Sequence, residues 1–562
     1  MYLMGQHRAS CISSVASIAF VLLTLIAADI RARPTTAYEA ELVVTGWLAD
    51  NLEPFGARLG GPIVDVETTT GAAGKPLYYV VHLSPCGFVV VPADDLVEPI
   101  LAFTDAQTFE LSAQDPLAAL IERDVNRRLV EAWAGASGQL RVQSASNAQS
   151  RWYDLIGRAG PLQGEIRVLG KQTISDVRIA PFLKTRWSQD EICSRPGYNY
   201  YTPNHYLAGC GATAMAQLMY YYRYPVNGIG RHPFTIQVID ANQVVYTRGG
   251  DGTGGPYQWD DMVAVPDCDT TSEQRQAIGA LCYDAGIAAR TDYGRTSSST
   301  DAPAVVAALR GTFGFSNAIH GSNEGGNIGG DLAGMINPNL DARYPVMLGI
   351  QSDEGHAVVV DGYGYDPSTP IQTLYHHLNM GWAGRGDIWY NLPDVVDFNT
   401  VTACIYNVFV EGKGEIISGR VIDGASQPIG GALITAARRT RTFVSVSDAN
   451  GLYVLAKIPS ATTYSIQVEK PGFTFTKQAV TTGTSSDGES WAGNKWAVDF
   501  TGRLIADSDN DSDVDFVDFA RLASDWPTAT ATENDTSRAG GYLDLAALAQ
   551  NWLAGKTPHN RP

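Results

Sequence analysis

The period of the apolar positions changes several times along the chain, and each change predicts a different element. An almost unbroken apolar run from Val15 to Ala28 follows His7 and Arg8, and small residues stand at Ala27, Ala28 and Ala32. That is the form of a secretory signal peptide over residues 1–32, with an uncleaved anchor as the alternative. No other run approaches the roughly 18 apolar residues of a membrane span. Residues 78–83 and 87–92 are apolar stretches of strand length around a Ser84-Pro85-Cys86 turn, and a further apolar run covers 99–103. Asp115-Pro116 then offers an N-cap and first turn, and Leu117, Leu120, Ile121, Val125, Leu129 and Ala132 share one helical face. After Trp133 the pattern dissolves into Ala, Gly, Ser and Gln through Ser150, which predicts an exposed, cleavable linker, with a cut anywhere from there to Lys171-Gln172. Beyond residue 418, short apolar runs at 419–423, 429–434, 447–453 and 464–473 alternate with turn residues, the pattern of a small β-sandwich. Phe519, Leu522, Ala523 and Trp526 give a last helical face.

Candidate chemistry sits where a helical pattern opens on Gly209-Cys210-Gly211 and continues as Ala-Thr-Ala-Met-Ala-Gln-Leu-Met. Free amides and the positive dipole end at a helix start stabilise a thiolate, so Cys210 is a candidate nucleophile; a buried, inert cysteine is the competing reading. His356 begins the apolar β-branched run of residues 357–360, and a strand start facing a helix start can hold a base within reach of a thiol. Asn379 is expected on a following strand, where it could orient the His356 imidazole. Gln189, in Trp187-Ser188-Gln189-Asp190, could donate its amide to an oxyanion. As isolated residues, Gln189 also reads as a surface amide and Asn379 as a turn residue. Of the rival histidines, His232 lies in a Pro-flanked loop and His320 in a Gly/Asn-rich one, which argues against rigid placement, and His376 and His377 read as strand residues, one inward and one outward.

These segments, in the order Gln189, Cys210, His356, Asn379, resemble the streptopain family of bacterial cysteine proteases, a branch of the papain-like fold. The resemblance extends to the helix through Tyr224-Pro225, to Tyr257-Gln258-Trp259-Asp260-Asp261-Met262, to the Asp361-Gly362 that trails Gly355-His356-Ala357, and to Asn379-Met380-Gly381-Trp382. It covers residues 40–412. It implies Cys210 as nucleophile, His356 as general base, Gln189 as oxyanion donor and Asn379 as orienting group. It also implies a pro-domain and hence an inhibited zymogen, and an apolar residue accepted one before the cleavage-site residue, in a groove near Trp382. A structural N-terminal module that is never removed is the alternative for the first of these. The family usually has Trp where this chain has Met380 and Gly where it has Ala383.

Length and composition agree with an exported multidomain protein. At 562 residues about three to five domains are expected. A formal net charge of −19 disfavours nucleic acid or an anionic membrane as partner. Of seven cysteines, Cys11 falls in the signal and Cys86 in the pro-region. That leaves Cys193, Cys210, Cys268, Cys282 and Cys404, an odd number compatible with a free thiol, and no CxxC for a zinc site. Gly249-Gly250-Asp251-Gly252-Thr253-Gly254-Gly255 lacks the Gly-Lys-Ser/Thr ending of a phosphate loop.

Near the C-terminus Asp507, Asp509, Asp511, Asp513, Asp515 and Asp518 fall at positions 1, 3, 5, 7, 9 and 12 of a loop, the oxygen spacing of an EF-hand Ca2+ site. Ser512 replaces the usual Gly, and Asp518 the usual Glu. Asp518 to Trp526 is echoed by Asp544 to Trp552, behind a degraded loop of Glu533, Asp535, Ser537, Gly541 and Asp544. The duplication resembles a dockerin, which would imply a cohesin-like docking partner, or a calcium-stapled tail.

The expected fold class is multidomain α+β: a papain-like cysteine protease core with an α+β pro-domain, a β-sandwich module and a small all-α EF-hand-like (dockerin-type) tail. The expected boundaries are 1–32 signal, 33–175 pro-domain and linker, 176–412 peptidase, 413–502 sandwich and 503–556 tail. The sandwich resembles carboxypeptidase-regulatory-like or Cna-B-type modules, read as a spacer rather than a binding domain. The expected function is a secreted cysteine endopeptidase acting on proteins or peptides, without a catalytic cofactor. The alternatives are a non-catalytic scaffold or adhesin and a thiol acyltransferase.

Overall fold

The structure is a computed structural model. It describes residues 33–49, 51–71, 74–105, 116–133, 139–159, 176–323, 328–350, 355–366, 373–392, 401–505, 507 and 514–525. The signal segment, the upper end of the expected maturation region and the second calcium-loop copy lie outside these.

The N-terminal region contains α1 (Ala37–Leu48), β1 (Ile63–Thr70), β2 (Pro76–Leu83), β3 (Phe88–Pro92), β4 (Ala102–Thr104), α2 (Pro116–Trp133) and α3 (Gln139–Ala159). The hairpin expected around Ser84-Pro85-Cys86 is β2 paired with β3. On α2, Leu117, Leu120, Ile121, Val125 and Leu129 are buried on the face that the period indicated. The linker expected through Ser150 is instead largely α3, which packs along α1. Ala148, Trp152 and Leu155 bury one face, Trp152 Nε1 donates to Val97 O at 2.9 Å, and a Cβ on Gly46 would meet the Leu155 carbonyl. Gln, Ser, Ala and Asn dominate its first half and carry little apolar signal, and the large anchoring side chains, Trp152 and Leu155, lie beyond the stretch read as linker.

The peptidase region contains β5 (Asp176–Ile179), β6 (Glu191–Ile192), β7 (Arg195–Pro196), α4 (Cys210–Tyr222), β8 (Pro233–Val238), β9 (Ala241–Tyr246), α5 (Ser272–Ala288), β10 (Asp292–Tyr293), β11 (Ser298–Ser299), α6 (Ala302–Gly311), β12 (Asn317–Ser322), α7 (Leu332–Asp341), β13 (Val346–Ile350), β14 (His356–Asp366), β15 (Thr373–Asn379), β16 (Ile388–Tyr390) and β17 (Val401–Phe409). His320 therefore lies on β12 rather than in a loop. One antiparallel sheet runs β1-β2-β3-β4-β16-β15-β14-β13-β17-β12, with β5 on β14. The β4–β16 pair, Phe103 opposite Trp389 and Ala102 opposite Tyr390, makes the N-terminal region and the peptidase a single sheet. Helix α4 lies among α5, α6 and β14, and residues 211–219 are all buried, which fixes the Cys210 end of the helix rigidly.

The sandwich comprises β18 (Glu415–Asp423), β19 (Leu433–Arg438), β20 (Arg441–Val446), β21 (Leu452–Ile458), β22 (Thr463–Glu469), β23 (Phe473–Phe475), β24 (Gln478–Thr481) and β25 (Phe500–Leu504), in sheets β21-β18-β25-β23 and β20-β19-β22-β24. It is joined to the peptidase by specific buried contacts. Buried Asn339, Asn407 and Asn494 bond one another across the junction, at 3.0 Å for Asn339 Nδ2 and 3.0 Å for Asn494 Nδ2 to Asn407 Oδ1, and Arg310 pairs with Asp487 at 2.7 Å.

In the tail, α8 (Phe516–Asp525) is capped by the Asp515 carboxylate, which accepts from Val517 N at 2.7 Å. Buried Asp518 accepts from Asp515 N at 2.8 Å. Phe519, on the apolar face of this helix, is exposed. Asp509, Asp511, Asp513 and Trp526 lie outside the described residues, as do the side chains of Ala132, Leu522 and Ala523.

Candidate active site

The start of α4, the start of β14, the segment before β6 and the loop after β15 converge on a cavity of about 670 Å³. Gln189, Cys210, His356 and Trp382 all line it, with Val305, Met347, Ile350 and Ile405 among the apolar walls. A second cavity, about 530 Å³ between β12 and the sandwich, is edged by Lys413, Arg441 and Lys457 and contains no nucleophilic thiol or imidazole among the described residues, so the chemistry points to the first.

Cys210 is the first residue of α4, behind Gly209 at φ 92°, where a non-glycine residue would be strained and its Cβ would crowd Ser298 O at 3.1 Å. Burial pushes the Cys210 thiol up, opposed by hydrogen bonds from the backbone amides of Ala357, Gly211 and Cys210 itself. His356 is 7% exposed, and burial lowers it to about 4 against a hydrogen bond to Met380. Both shifts favour the neutral thiol–imidazole pair in this form of the chain, not the ion pair expected of a working enzyme.

The imidazole is fixed by two contacts. Its Nε2 lies 2.8 Å from Met380 O, and its ring stacks on Trp382 at 4.6 Å between centroids. A carbonyl only accepts, so Nε2 carries the proton and the neutral ring's lone pair is on Nδ1, the atom left to act as base. Trp382 thus supplies an aromatic shield over the imidazole.

Asn379 is placed differently from the expectation. Its Nδ2 donates to Thr185 O at 2.8 Å, and its Oδ1 accepts from Gln217 Nε2 at 3.2 Å and Gly381 N at 3.1 Å. The Gly381 N–H and the Met380 C=O belong to one peptide unit. Asn379 therefore reaches His356 through that peptide, because the direct position beside Nε2 is taken by the carbonyl.

Several participants carried little sequence signal. Gln217 is a buried amide seven residues after Cys210 on the same helix, and a polar side chain in a largely apolar run was its mark. Asp387 Oδ1 accepts from Met380 N at 2.9 Å. Burial raises Asp387 to about 6, opposed first by the neighbouring His377 charge. His377 is desolvated, yet Asp361 at 2.6 Å raises it, and Asp361 also accepts from Leu183 N at 2.8 Å. Buried His376 bonds Asn337 Oδ1 at 2.7 Å, so the two adjacent histidines do face opposite ways.

Ala383 adopts φ 56°, the left-handed region, with its N–H on Trp187 O at 2.9 Å. A glycine would take this conformation without strain. An alanine there costs about 1–2 kcal/mol, partly offset by the greater chain entropy glycine loses on folding. Ala383→Gly is expected to stabilise the protein by about 0.5–1 kcal/mol, read as a higher urea midpoint at unchanged slope; a lower midpoint would show that the methyl packs favourably.

Cys193 and Cys268 form a disulfide with Cα atoms 5.3 Å apart, tying the β6–β7 hairpin that follows Gln189 to the loop before α5. Cys86, Cys210, Cys282 and Cys404 are free.

Residues 187–390 match the Peptidase C10 family, residues 32–127 the Spi protease inhibitor family and residues 416–489 the carboxypeptidase regulatory-like domain. Streptopain of Streptococcus pyogenes serotype M1 is 26% identical over 326 residues, 56% of this chain and 73% of that protein. The thiol protease/hemagglutinin PrtT of Porphyromonas gingivalis is 24% identical over 383 residues, 66% of this chain and 40% of that protein. A solved mutant fragment of Prevotella intermedia prointerpain A is 22% identical at a TM-score of 0.45, covering 62% of this chain and 99% of that one.

Proposed function

We propose, for a chain that is a cysteine-type peptidase made as a zymogen, that Cys210 is its nucleophile and His356 its general base. The observation that carries this assignment is the shared cavity, with Cys210 at a helix start and an imidazole whose Nε2 is tied to Met380 O. His356 Nδ1 takes the thiol proton as Sγ attacks the peptide carbonyl carbon. The side-chain amide of Gln189 and the free amides at the start of α4 receive the oxyanion. The imidazolium returns its proton to the leaving amine, giving a thioester. Water then loses a proton to His356, attacks the thioester, and releases the acid and the thiol.

Asn379 acts by holding the Met380–Gly381 peptide, and Trp382 by covering the imidazole and lining an apolar subsite. Export is supported by the signal-like run and by the Cys193–Cys268 disulfide, which persists in oxidising compartments. The acidic loop is read as a Ca2+ site in a dockerin-like tail that docks to a cohesin-like partner, with Asp507, Asp509, Asp511, Asp513, Asp515 and Asp518 as oxygen ligands of the type this ion takes. That metal has no part in the chemistry above.

The test incubates the activated full chain with an unfolded protein substrate, with and without iodoacetamide, and with an added amine. Hydrolysis that iodoacetamide abolishes and the amine does not divert is expected. Iodoacetamide-resistant cleavage would remove Cys210 from the mechanism. Amide products formed in place of free acids would make the protein an acyltransferase.

A further inference from the structure

We propose that Asp387 is a positioning residue for His356, acting through the backbone of Met380; this rests on reading Cys210 and His356 as the catalytic pair. Strand β15 ends at Asn379 and β16 starts at Ile388, so Met380 has left the sheet ladder and its N–H needs another acceptor. Asp387 provides it at 2.9 Å, from the residue immediately before β16. The opposite side of the same residue, Met380 O, is what His356 Nε2 meets at 2.8 Å. Gly381, Ala383, Gly384 and Gly386 all have positive φ, so the intervening loop follows a path that regular structure does not dictate. The direction of the Met380 carbonyl is therefore set by the two ends that grip it: Asn379 on the Gly381 amide at 3.1 Å and Asp387 on the Met380 amide.

The grip is backed by charge. His377, on β15, is paired with Asp361 at 2.6 Å and is the largest attraction favouring the charged form of Asp387. A carboxylate accepting from a backbone amide makes a hydrogen bond about twice as strong as a neutral one. A displacement of about 1 Å at a catalytic group costs on the order of 100-fold in rate, so losing one of the two grips is visible in turnover.

A purely structural role for Asp387 would lower the folded fraction and leave the turnover of folded molecules unchanged. The experiment therefore compares wild type, Asp387→Asn, Asp387→Ala and Asp387→Leu as activated full chains, with active sites titrated and folding followed by thermal melts. The expected order of kcat per titrated site is wild type, then Asn about 3–10-fold lower because a neutral acceptor remains, then Ala and Leu about 10–100-fold lower, with KM within about twofold throughout. Asp387→Leu replaces Ala if that variant fails to fold, and the Asn variant decides alone if both do. A folded Asn or Ala variant with kcat within about twofold of wild type overturns the proposal, as does a loss carried entirely by KM. Cys210→Ala is run beside them: its retaining activity would overturn the catalytic pair itself, a different failure.

Discussion

Full-length Cys210→Ala, incubated in a mild reductant, remains a single unprocessed band while the wild-type chain converts to a shorter species. The expectation follows from the chemistry of the cavity. Removing Sγ leaves an imidazole that can still take a proton but no second thiol among the described residues of the cavity, since Cys86 lies in the N-terminal region and both Cys282 and Cys404 are buried elsewhere. The loss is on the order of a millionfold in kcat, and His356→Ala is expected to match it closely, because members of such a unit are non-additive. Densitometry of the processed band over time, in wild type, in each variant and in a mixture of wild type with Cys210→Ala, checks it. Processing of Cys210→Ala on its own at the wild-type rate would sink the assignment. Conversion only in the mixture would show that maturation occurs between molecules.

What was legible in the sequence was chemistry borne by side chains at places where local structure is decided locally. Gly209-Cys210-Gly211 opens a helix because glycine meets the φ of 92° there, and His356 starts a strand because β-branched residues follow it. The cavity then brings these two together with Gln189 and Trp382 as expected. What was not legible is the work of backbone atoms and distant pairing. The Met380 carbonyl holds His356, and any residue has a carbonyl. Asn379 was expected at the imidazole because an amide suits that position, yet the peptide it grips stands in between.

The same reason explains the larger misreadings of the chain. Strand β4 has three residues, too few to show a period, and among the described residues its pairing with β16 joins the two regions into one sheet. The junction of the sandwich with the peptidase carried no signal because the sandwich's own strands close its own core, whereas its attachment is a few buried asparagines scattered between residues 339 and 494. Helix α3 was lost in a compositional linker because the tertiary contacts of Trp152 and Arg151 decide it.

Arg151 carries the second large effect. It is 1% exposed on α3 and sits 3.1 Å from Glu98 and 3.1 Å from Asp366, with Thr373 as a further partner. Glu98 belongs to the N-terminal region; Asp366 and Thr373 end β14 and begin β15 of the peptidase. Trp47 of α1 also donates to Asp366, at 2.8 Å, so two N-terminal side chains meet on one peptidase carboxylate. Arg151→Ala leaves the Glu98 and Asp366 carboxylates buried together without the cation between them, which costs about 3–5 kcal/mol. In a Cys210→Ala background, where self-cleavage cannot intervene, the N-terminal region should open about 10²–10⁴ times more often, seen as faster trypsin cleavage within it at low urea. The pH dependence has a definite sign. Burial already raises Glu98, Asp366 raises it further, and Arg151 is the largest influence opposing them, ahead of Arg128 and the Thr373 hydroxyl. Without Arg151 the carboxyl is held protonated to higher pH than in the unfolded chain. A raised acid imposes no penalty at low pH and a growing one as pH rises, so the defect should shrink towards pH 5 and widen towards pH 8. Glu98→Gln added to Arg151→Ala should recover part of the loss at pH 8 and little at pH 5. Cleavage no faster than in the Cys210→Ala parent would show that the ion cluster does not hold the N-terminal region in place, and that the β4–β16 pair and the apolar contacts of α1 and α2 suffice.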